Sequence, residues 1–555
     1  MSTDQPAGTT RPARPNRPAA VRRDQPLTWD EVRKRNSVER IKAEKLPFDL
    51  LDELPQLVEK QYEEISEDDI LRLQWWGLYH DKPKVGNFMM RVKIPAGAVN
   101  PDQLRTIGEI SQKFGEDSGE ITTRQDIQIH FIRLTSIPEV FETMKKVGLT
   151  TAGACGDILR NITGCPVSGI DPQELFDTRP VIQGLADFFY GNRDYSDLPR
   201  KHKWTVAACP YHCNAPEIHD VGLVGTIQDG RLGFAISVGG GLSTVPRIAQ
   251  PFNVFVRPDE ALEVLKGILD VWSNDLNYRR SRIKARFKFM VDDHGPDAIR
   301  QRVEAQIGRK LTPLSHVPTP IGRSDHMGIH PQKQEGYSYI GFPIFPGLLS
   351  GTQMIAVAEI AGRYGREIRF TREQNLIITD IANEQVDRVT DEMAQLGFEL
   401  KVNAIRGHSI GCTGNPQCNF AVGDTKPRLR KLVGHLEGRF GEAVSDFRIH
   451  LDGCPHACGQ HWVGDIGIQG TTVRKDGEKS QAYDIFLRGG LGARANIGRQ
   501  VARRVPTDNL DIFVEGLVAS YLQQRQDGET FQEFCLARSD EQLLESMQGT
   551  GLAQS

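Results

Sequence analysis

The strongest constraint on this chain is that it contains a copy of itself. Ile94-Pro95-Ala96-Gly97, running to Phe114-Gly115, matches Phe345-Pro346-Gly347, running to Tyr364-Gly365, with an offset of 250 residues between Gly97 and Gly347. Thr123-Arg124-Gln125 recurs as Thr371-Arg372-Glu373. Each copy leads into an alternating stretch (Ile127, Ile129, Phe131; Leu376, Ile378) of the kind that makes a strand with one buried face. Asp220 to Thr226 recurs as Asp465 to Thr471, and Gly239-Gly240-Gly241-Leu242 as Arg488-Gly489-Gly490-Leu491. Matches kept in one order at a near-constant offset mean a duplicated unit. Each half reads as a strand–helix–strand unit followed by a larger mixed unit, so the expected class is α+β (mixed α/β), internally duplicated with pseudo-two-fold symmetry. The units fall at 80–153, 154–330, 335–405 and 406–555, after a disordered tail and lead-in over 1–45. Halves packed about such an axis leave a cleft in which a large flat cofactor can sit. A structural duplication with no shared site is the plain alternative.

At 555 residues and 39% hydrophobic content the chain can bury several cores. A net charge of -4 gives no reason to expect nucleic acid or an acidic membrane surface as partner. No apolar run approaches the roughly 20 residues of a membrane span, and Met1 to Pro26 has no apolar signal core. These features predict a cytoplasmic protein. The prolines of that opening segment argue against the amphipathic helix of a transit peptide. Nine cysteines, several in close pairs, suit metal or redox chemistry in a reducing compartment better than a disulfide framework.

Two of those pairs stand out. Cys412 and Cys418 lie in Gly411-Cys412-Thr413-Gly414-Asn415-Pro416-Gln417-Cys418, and Cys454 and Cys458 in Gly453-Cys454-Pro455-His456-Ala457-Cys458. Structural zinc sites usually space paired ligands by two to four residues, so the first pair is wide for zinc. Four thiolates on Gly- and Pro-bent loops suit a [4Fe–4S] cubane, with zinc or inert buried thiols as the alternatives.

At these cysteines the sequence resembles the siroheme- and [4Fe–4S]-containing nitrite and sulfite reductases, whose signature is Cys-x5-Cys followed by Cys-x3-Cys; the likeness runs over about 70 to 540. Within that family it is most similar to the ferredoxin-dependent assimilatory sulfite reductases. The resemblance implies ferredoxin-like half-domains plus two larger siroheme- and cluster-binding domains. It also implies that Cys412, Cys418, Cys454 and Cys458 hold the cluster, with Cys458 bridging it to the siroheme iron. One departure is His456, where the family often has Asn, which bears on hydrogen bonding around the cluster.

Small oxyanions and a tetrapyrrole rich in carboxylates both need fixed cations. If Leu198 to Val206 is a strand, its period of two puts Lys201 and Lys203 on one face and His202 and Trp204 on the other. Taken singly, an Arg or Lys is more often a solvated surface charge. By resemblance, Arg91, Arg160, Lys201 and Lys203 form the catalytic anion pocket, and Arg124 binds a siroheme carboxylate. Lys-x-Lys at this place is typical of the family's sulfite reductases and Lys-x-Asn of its nitrite reductases, so sulfite is favoured. Tyr79 and Cys155 match a Tyr–Cys pair that some members join covalently; packing of an aromatic and a buried thiol is the other reading.

Cys165, Cys209 and Cys213 occupy the places of Cys412, Cys454 and Cys458 in the first copy, with no match to Cys418. They read as relics of a second cluster site or as packing thiols, and Cys535 as structural. No Gly-x-Gly-x-x-Gly opens a helix, so electrons must come from another protein. The resemblance points to ferredoxin, with a flavoprotein as the other donor. Lys426 to Lys431 and Arg279 to Lys288 are candidate docking or siroheme-carboxylate surfaces. A non-catalytic cluster scaffold or redox sensor is the rival of another class.

Overall fold

The computed structural model describes residues 27–322, 324–475 and 477–548. The first strand–helix unit is a sheet of Leu78–His80, Asn87–Val92, Ile127–Arg133 and Glu120–Ile121, in that spatial order, all antiparallel. Its main helix, Pro101–Phe114, is opened by an Asn100/Gln103 capping box and a proline in its first turn, and its buried Leu104, Ile107 and Ile110 recur at helical spacing. The second unit repeats the plan with Gly328–Pro331, Tyr337–Phe342, Leu376–Ala382 and Ile368–Phe370, and its helix Gly351–Tyr364 is opened by a Ser350/Gln353 capping box.

Strand Ala98–Val99 of the first unit pairs with Ile368–Phe370 of the second, and one hydrophobic core runs through both. The two main helices cross where neither can carry a side chain. A Cβ on Gly108 would stand 2.7 Å from the Gly351 carbonyl oxygen, and one on Gly351 would stand 2.6 Å from that of Gly108. Such reciprocal contact is what a two-fold axis produces: the same surface meets itself.

The larger units also match strand for strand. In the first, Thr163–Gly164, Trp204–Ala207 and Val221–Gln228 pair in parallel, then Arg231–Val238 and Gln250–Val256 return antiparallel. In the second, Ile410–Gly411, Ile449–Asp452 and Ile466–Lys475 are parallel, and Glu478–Leu487 and Arg499–Pro506 antiparallel. The loops leaving the parallel strands carry both cysteine sets. The fold is therefore mixed α/β and duplicated, as expected.

Two readings need correction. Residues 1–26 lie outside the described residues, but the lead-in from 27 to 45, expected to be part of the tail, contains helices Trp29–Arg35 and Ser37–Glu44. Buried charge pins them: Arg279 pairs with Glu39 at 2.8 Å and Lys42 with Asp197 at 2.7 Å, while Asn36 donates to the Arg279 carbonyl at 2.7 Å. Val32, Val38 and Ile41 are buried beside these polar anchors. Phe131 is also misplaced by strict alternation. The register shifts between Phe88 and Met90, so Ile132 fills the core while Phe131 takes φ 65°. Among the described residues no helix is long and apolar enough to cross a membrane.

Candidate active site

The cluster-type quartet is assembled from two loops of the second large unit. Backbone N–H groups turn toward the sulfurs: Gly453 donates to Cys412 Sγ at 3.2 Å, Phe420 and Ala421 point at Cys418, and His456 at Cys454. Burial first, and then the neighbouring negative groups, push these three thiols up, Cys454 to about 12. Cys458 acts on all three, so the four sulfurs share one space. Buried thiolates that also repel one another are costly unless a metal compensates their charge, as the iron of a cluster would. Residues from the first half-domain hold the loop. Lys82 binds the Gln417 carbonyl and Asn415 Oδ1, each at 2.8 Å, and Asn419 reaches the His80 carbonyl at 2.8 Å.

Beneath that loop lies an ion triad. His130 Nδ1 is 2.7 Å from Asp81 and its Nε2 is 3.8 Å from Glu120, and Glu120 accepts the Thr413 hydroxyl at 2.6 Å. Burial works against a charged His130, but Asp81 and Glu120 overcome it and hold the ring at about 9. Burial likewise opposes the Glu120 carboxylate, yet Lys426 and His130 bring it down to about 2. Because the His130 value is raised, its contribution, on the order of 3 kcal/mol, is fully present below about pH 6.5 and is lost as pH rises through about 9. Cluster loss to a chelator should therefore accelerate across that window in the native protein and be fast throughout in His130→Gln. Equal acceleration in both would show that the triad does not hold the loop.

Three of the expected cations lie within electrostatic reach of the quartet. Arg91, Lys201 and Lys203 each interact electrostatically with Cys458. His202 and Trp204 are fully buried while Lys201 and Lys203 keep partial solvent access, so the alternation read from the sequence holds. Burial, followed by the charges of Arg160, Arg200 and Arg286, lowers Lys201 to about 7. Burial, followed by Lys201, Arg124 and Arg286, puts Lys203 well below its ordinary range. Like charges gathered this closely suit the reception of an anion.

The remaining candidates are placed less simply. Arg91 donates to Gln128 and, at 3.6 Å, to Cys155 Sγ, and it is also coupled to Tyr79. Gln128 in turn donates to Thr413 at 3.1 Å, a link from pocket to cluster loop that no sequence signal announces. Arg160 is buried with its guanidinium on the carbonyls of Ala154 and Gly156, at 2.8 to 3.1 Å, so it shapes the turn that carries Cys155. Arg124 bonds the carbonyls of Asn161 and Trp204 and the ring of His219, leaving its Nε buried without a partner. The adjacent Thr123 hydroxyl donates to the Cys458 carbonyl at 3.0 Å.

Lys426, Arg428, Arg279, Arg286 and Lys288 of the two basic runs are buried, while Arg280, Lys284, Arg430 and Lys431 are exposed. Lys426 caps the Pro346 carbonyl at 2.8 Å and Arg428 pairs with Asp511, so Lys426 to Lys431 is no continuous docking face. Of Arg279 to Lys288, the member that reaches the pocket is Arg286, held at 2.9 Å by buried Asp220. Arg372, the counterpart of Arg124 in the duplication, is a further buried cation that the sequence signals only through that register. It donates to Gln460 Oε1 at 2.6 Å, two residues beyond Cys458. His456 rests its ring edge-on against exposed Phe420, with centroids 4.8 Å apart.

Comparison with known proteins agrees with this arrangement. The nitrite and sulphite reductase 4Fe-4S domain matches residues 155–311 and 404–535, and the nitrite/sulfite reductase ferredoxin-like half domain matches 80–147 and 330–396. An assimilatory ferredoxin-dependent nitrite reductase of Haloferax mediterranei is 33% identical over 530 residues, covering 89% of this chain and 90% of that one. A sulfite reductase [ferredoxin] of Mycolicibacterium paratuberculosis is 32% identical over 554 residues, covering 95% and 99%. The solved structure of the Mycobacterium tuberculosis NirA protein superposes with a TM-score of 0.88 at 30% identity, covering 92% of this chain and 97% of that one. Relatives with both names stand at similar distance, so kinship leaves the anion open. These relatives are reductases, which sets aside the scaffold reading. The chain belongs to the nitrite and sulphite reductase family, the ferredoxin-dependent oxidoreductases that couple siroheme to a [4Fe–4S] cluster.

Proposed function

We propose that this protein reduces sulfite to sulfide with six electrons drawn from ferredoxin; the alternative is reduction of nitrite to ammonia. The observation that carries the reading is the pair Lys201 and Lys203, both facing Cys458 together with Arg91. Cys412, Cys418, Cys454 and Cys458 would hold the cluster, and Arg124 a siroheme carboxylate. When bound, these groups supply electrons to the central atom of the anion. The chain supplies the rest. Arg91, Lys201 and Lys203 neutralise and orient the oxyanion, and the Lys201 ammonium, with its proton held near neutrality, can release it to a departing oxygen. Arg160 positions the Cys155 turn beside Arg91.

Sulfite carries more charge and bulk than nitrite, so it gains more from a second cation at position 203. Lys203→Asn should therefore lower kcat/KM for sulfite relative to nitrite by ~10-fold or more, the size of one charge-assisted contact. An unchanged ratio would remove Lys203 as the determinant and leave the preference for sulfite without support.

Ferredoxin as donor is supported by exposure of Phe420, His456 and Val422 beside the quartet, which would bring the cluster edge near the surface. The Tyr79–Cys155 cross-link belongs to the same proposal, supported by Arg91 standing against both side chains. Peptide mapping of fully loaded protein should yield a joined species. Separate Tyr79 and Cys155 peptides would exclude it.

A further inference from the structure

The first copy of the cysteine motif closes on a ligand set of its own. Sγ of Cys165, Sγ of Cys213 and a ring nitrogen of His326 all lie within 4.8 Å of one another, and Sγ of Cys209 is 3.6 Å from that of Cys213. Cys209 also interacts directly with Cys165, but it stands outside the group of three that includes His326, so as fourth ligand its sulfur would have to move inward on metal binding. By offset, the place of Cys418 falls to Asp171, which is why the sequence alone shows no fourth ligand. His326 comes from a different segment, the connection between the two halves.

The histidine is arranged as metal-bound imidazoles usually are. Its Nδ1 is 3.1 Å from the Ser324 hydroxyl, and the same hydroxyl accepts the His326 backbone N–H at 3.3 Å, so the ring is oriented from behind. Its Nε2 is buried without a hydrogen-bond partner, in a residue only 4% exposed. An orphaned ring nitrogen costs free energy unless something binds it. The backbone is fixed too. His326 takes φ 60°, and a Cβ on Gly341 would stand 2.0 Å from its carbonyl oxygen, so the strand opposite must be bare at that point.

We propose that Cys165, Cys209, Cys213 and His326 bind one Zn²⁺ ion in a closed tetrahedral Cys3His site. Around a tetrahedral zinc with bonds of about 2.3 Å, sulfurs stand roughly 3.8 Å apart. The 3.6 Å between Cys209 and Cys213 meets that requirement. A cubane spreads its thiolates over four separate irons and needs wider spacing. The backbone N–H groups of Val167 and Cys213 point at the sulfurs of Cys165 and Cys209, offsetting the excess negative charge of three thiolates on one dication. A closed N/S set with no open position is the pattern of structural zinc.

Such a site would tie the connection between the halves to the first large unit. It would also steady the redox centre, because Arg372 donates to the Cys213 carbonyl at 3.4 Å and to Gln460 beside the cluster loop at 2.6 Å. This is independent of which anion is reduced.

The test is metal analysis of anaerobically purified holoprotein, with X-ray absorption at the zinc edge. The expected result is about one zinc per chain with three sulfur and one nitrogen neighbours, and its loss in His326→Ala while the cluster and siroheme absorption remain. Should His326→Ala fail to fold, the wild-type zinc count and edge spectrum decide alone. Absence of zinc, a second complement of iron and sulfide, or a Cys209–Cys213 disulfide in non-reducing peptide maps would each overturn the proposal.

Discussion

Lys201→Met is expected to lower kcat/KM for either anion by ~10²- to 10³-fold, the usual loss on removing one group aimed at developing charge in a dry site. The reason lies in how the amine is held. Burial and the charges of Arg160, Arg200 and Arg286 bring it to about 7, so near neutrality it exchanges its proton easily. Its value is lowered, and only the protonated form serves. Below about pH 7 the ammonium is present; as pH rises through about 7 it is lost, and kcat/KM should fall with it. Nitrite, a monoanion throughout this range, is the cleaner probe. Lys201→Arg keeps the charge in a group that does not titrate there, so it should flatten the alkaline fall while lowering the maximum rate. A pH profile identical in native protein and Lys201→Arg would place the titrating group elsewhere.

The second large effect is expected for Cys458→Ser. Cys458 is the residue through which the quartet meets Arg91, Lys201 and Lys203, and a serine hydroxyl is a poor ligand for iron. Ferredoxin-driven turnover should fall by ~10³-fold or more, which is about 4 kcal/mol in the barrier, together with loss of acid-labile sulfide. Cys535→Ser is the control. That thiol lies buried in the C-terminal helical core, so its loss should reduce stability and leave iron, sulfide and the rate per loaded site unchanged. If Cys458→Ser retained sulfide and native turnover, the wiring assigned to Cys458 would be wrong.

How much of this was legible beforehand depends on what kind of interaction places each residue. The grouping of Cys412, Cys418, Cys454 and Cys458 could be read because they come from two short loops and their spacing is local. Lys201 and Lys203 could be read because alternation along an extended segment is fixed by backbone geometry, and His202 and Trp204 obey it. The duplication gave the half-domain plan, down to the paired capping boxes at Asn100 and Ser350.

What escaped is whatever depends on partners distant in the chain. Glu39 and Lys42 look like surface charges in a polar lead-in, yet Arg279, some 240 residues away, buries them. Lys426 and Arg428 sit in a run that resembles a docking face until Pro346 and Asp511 claim them. Arg160 turned inward onto backbone carbonyls of its own turn, a choice no residue pattern records. His326 shares no motif with Cys165, Cys209 and Cys213, so only the packed halves bring it to them. Phe131 broke its alternation at a bulge, where one extra residue resets the face of everything beyond it.

The central proposal is that Cys412, Cys418, Cys454 and Cys458 would hold an iron–sulfur cluster electronically coupled to a siroheme iron, with Arg91, Lys201 and Lys203 gathered around Cys458. Mössbauer spectra of the anaerobically isolated protein, read with its iron and sulfide content, test it most directly. The account predicts about five irons and about four labile sulfides per chain, with the siroheme iron and the cluster sharing one coupled spin system. Two magnetically independent signals, or iron without labile sulfide, would contradict it.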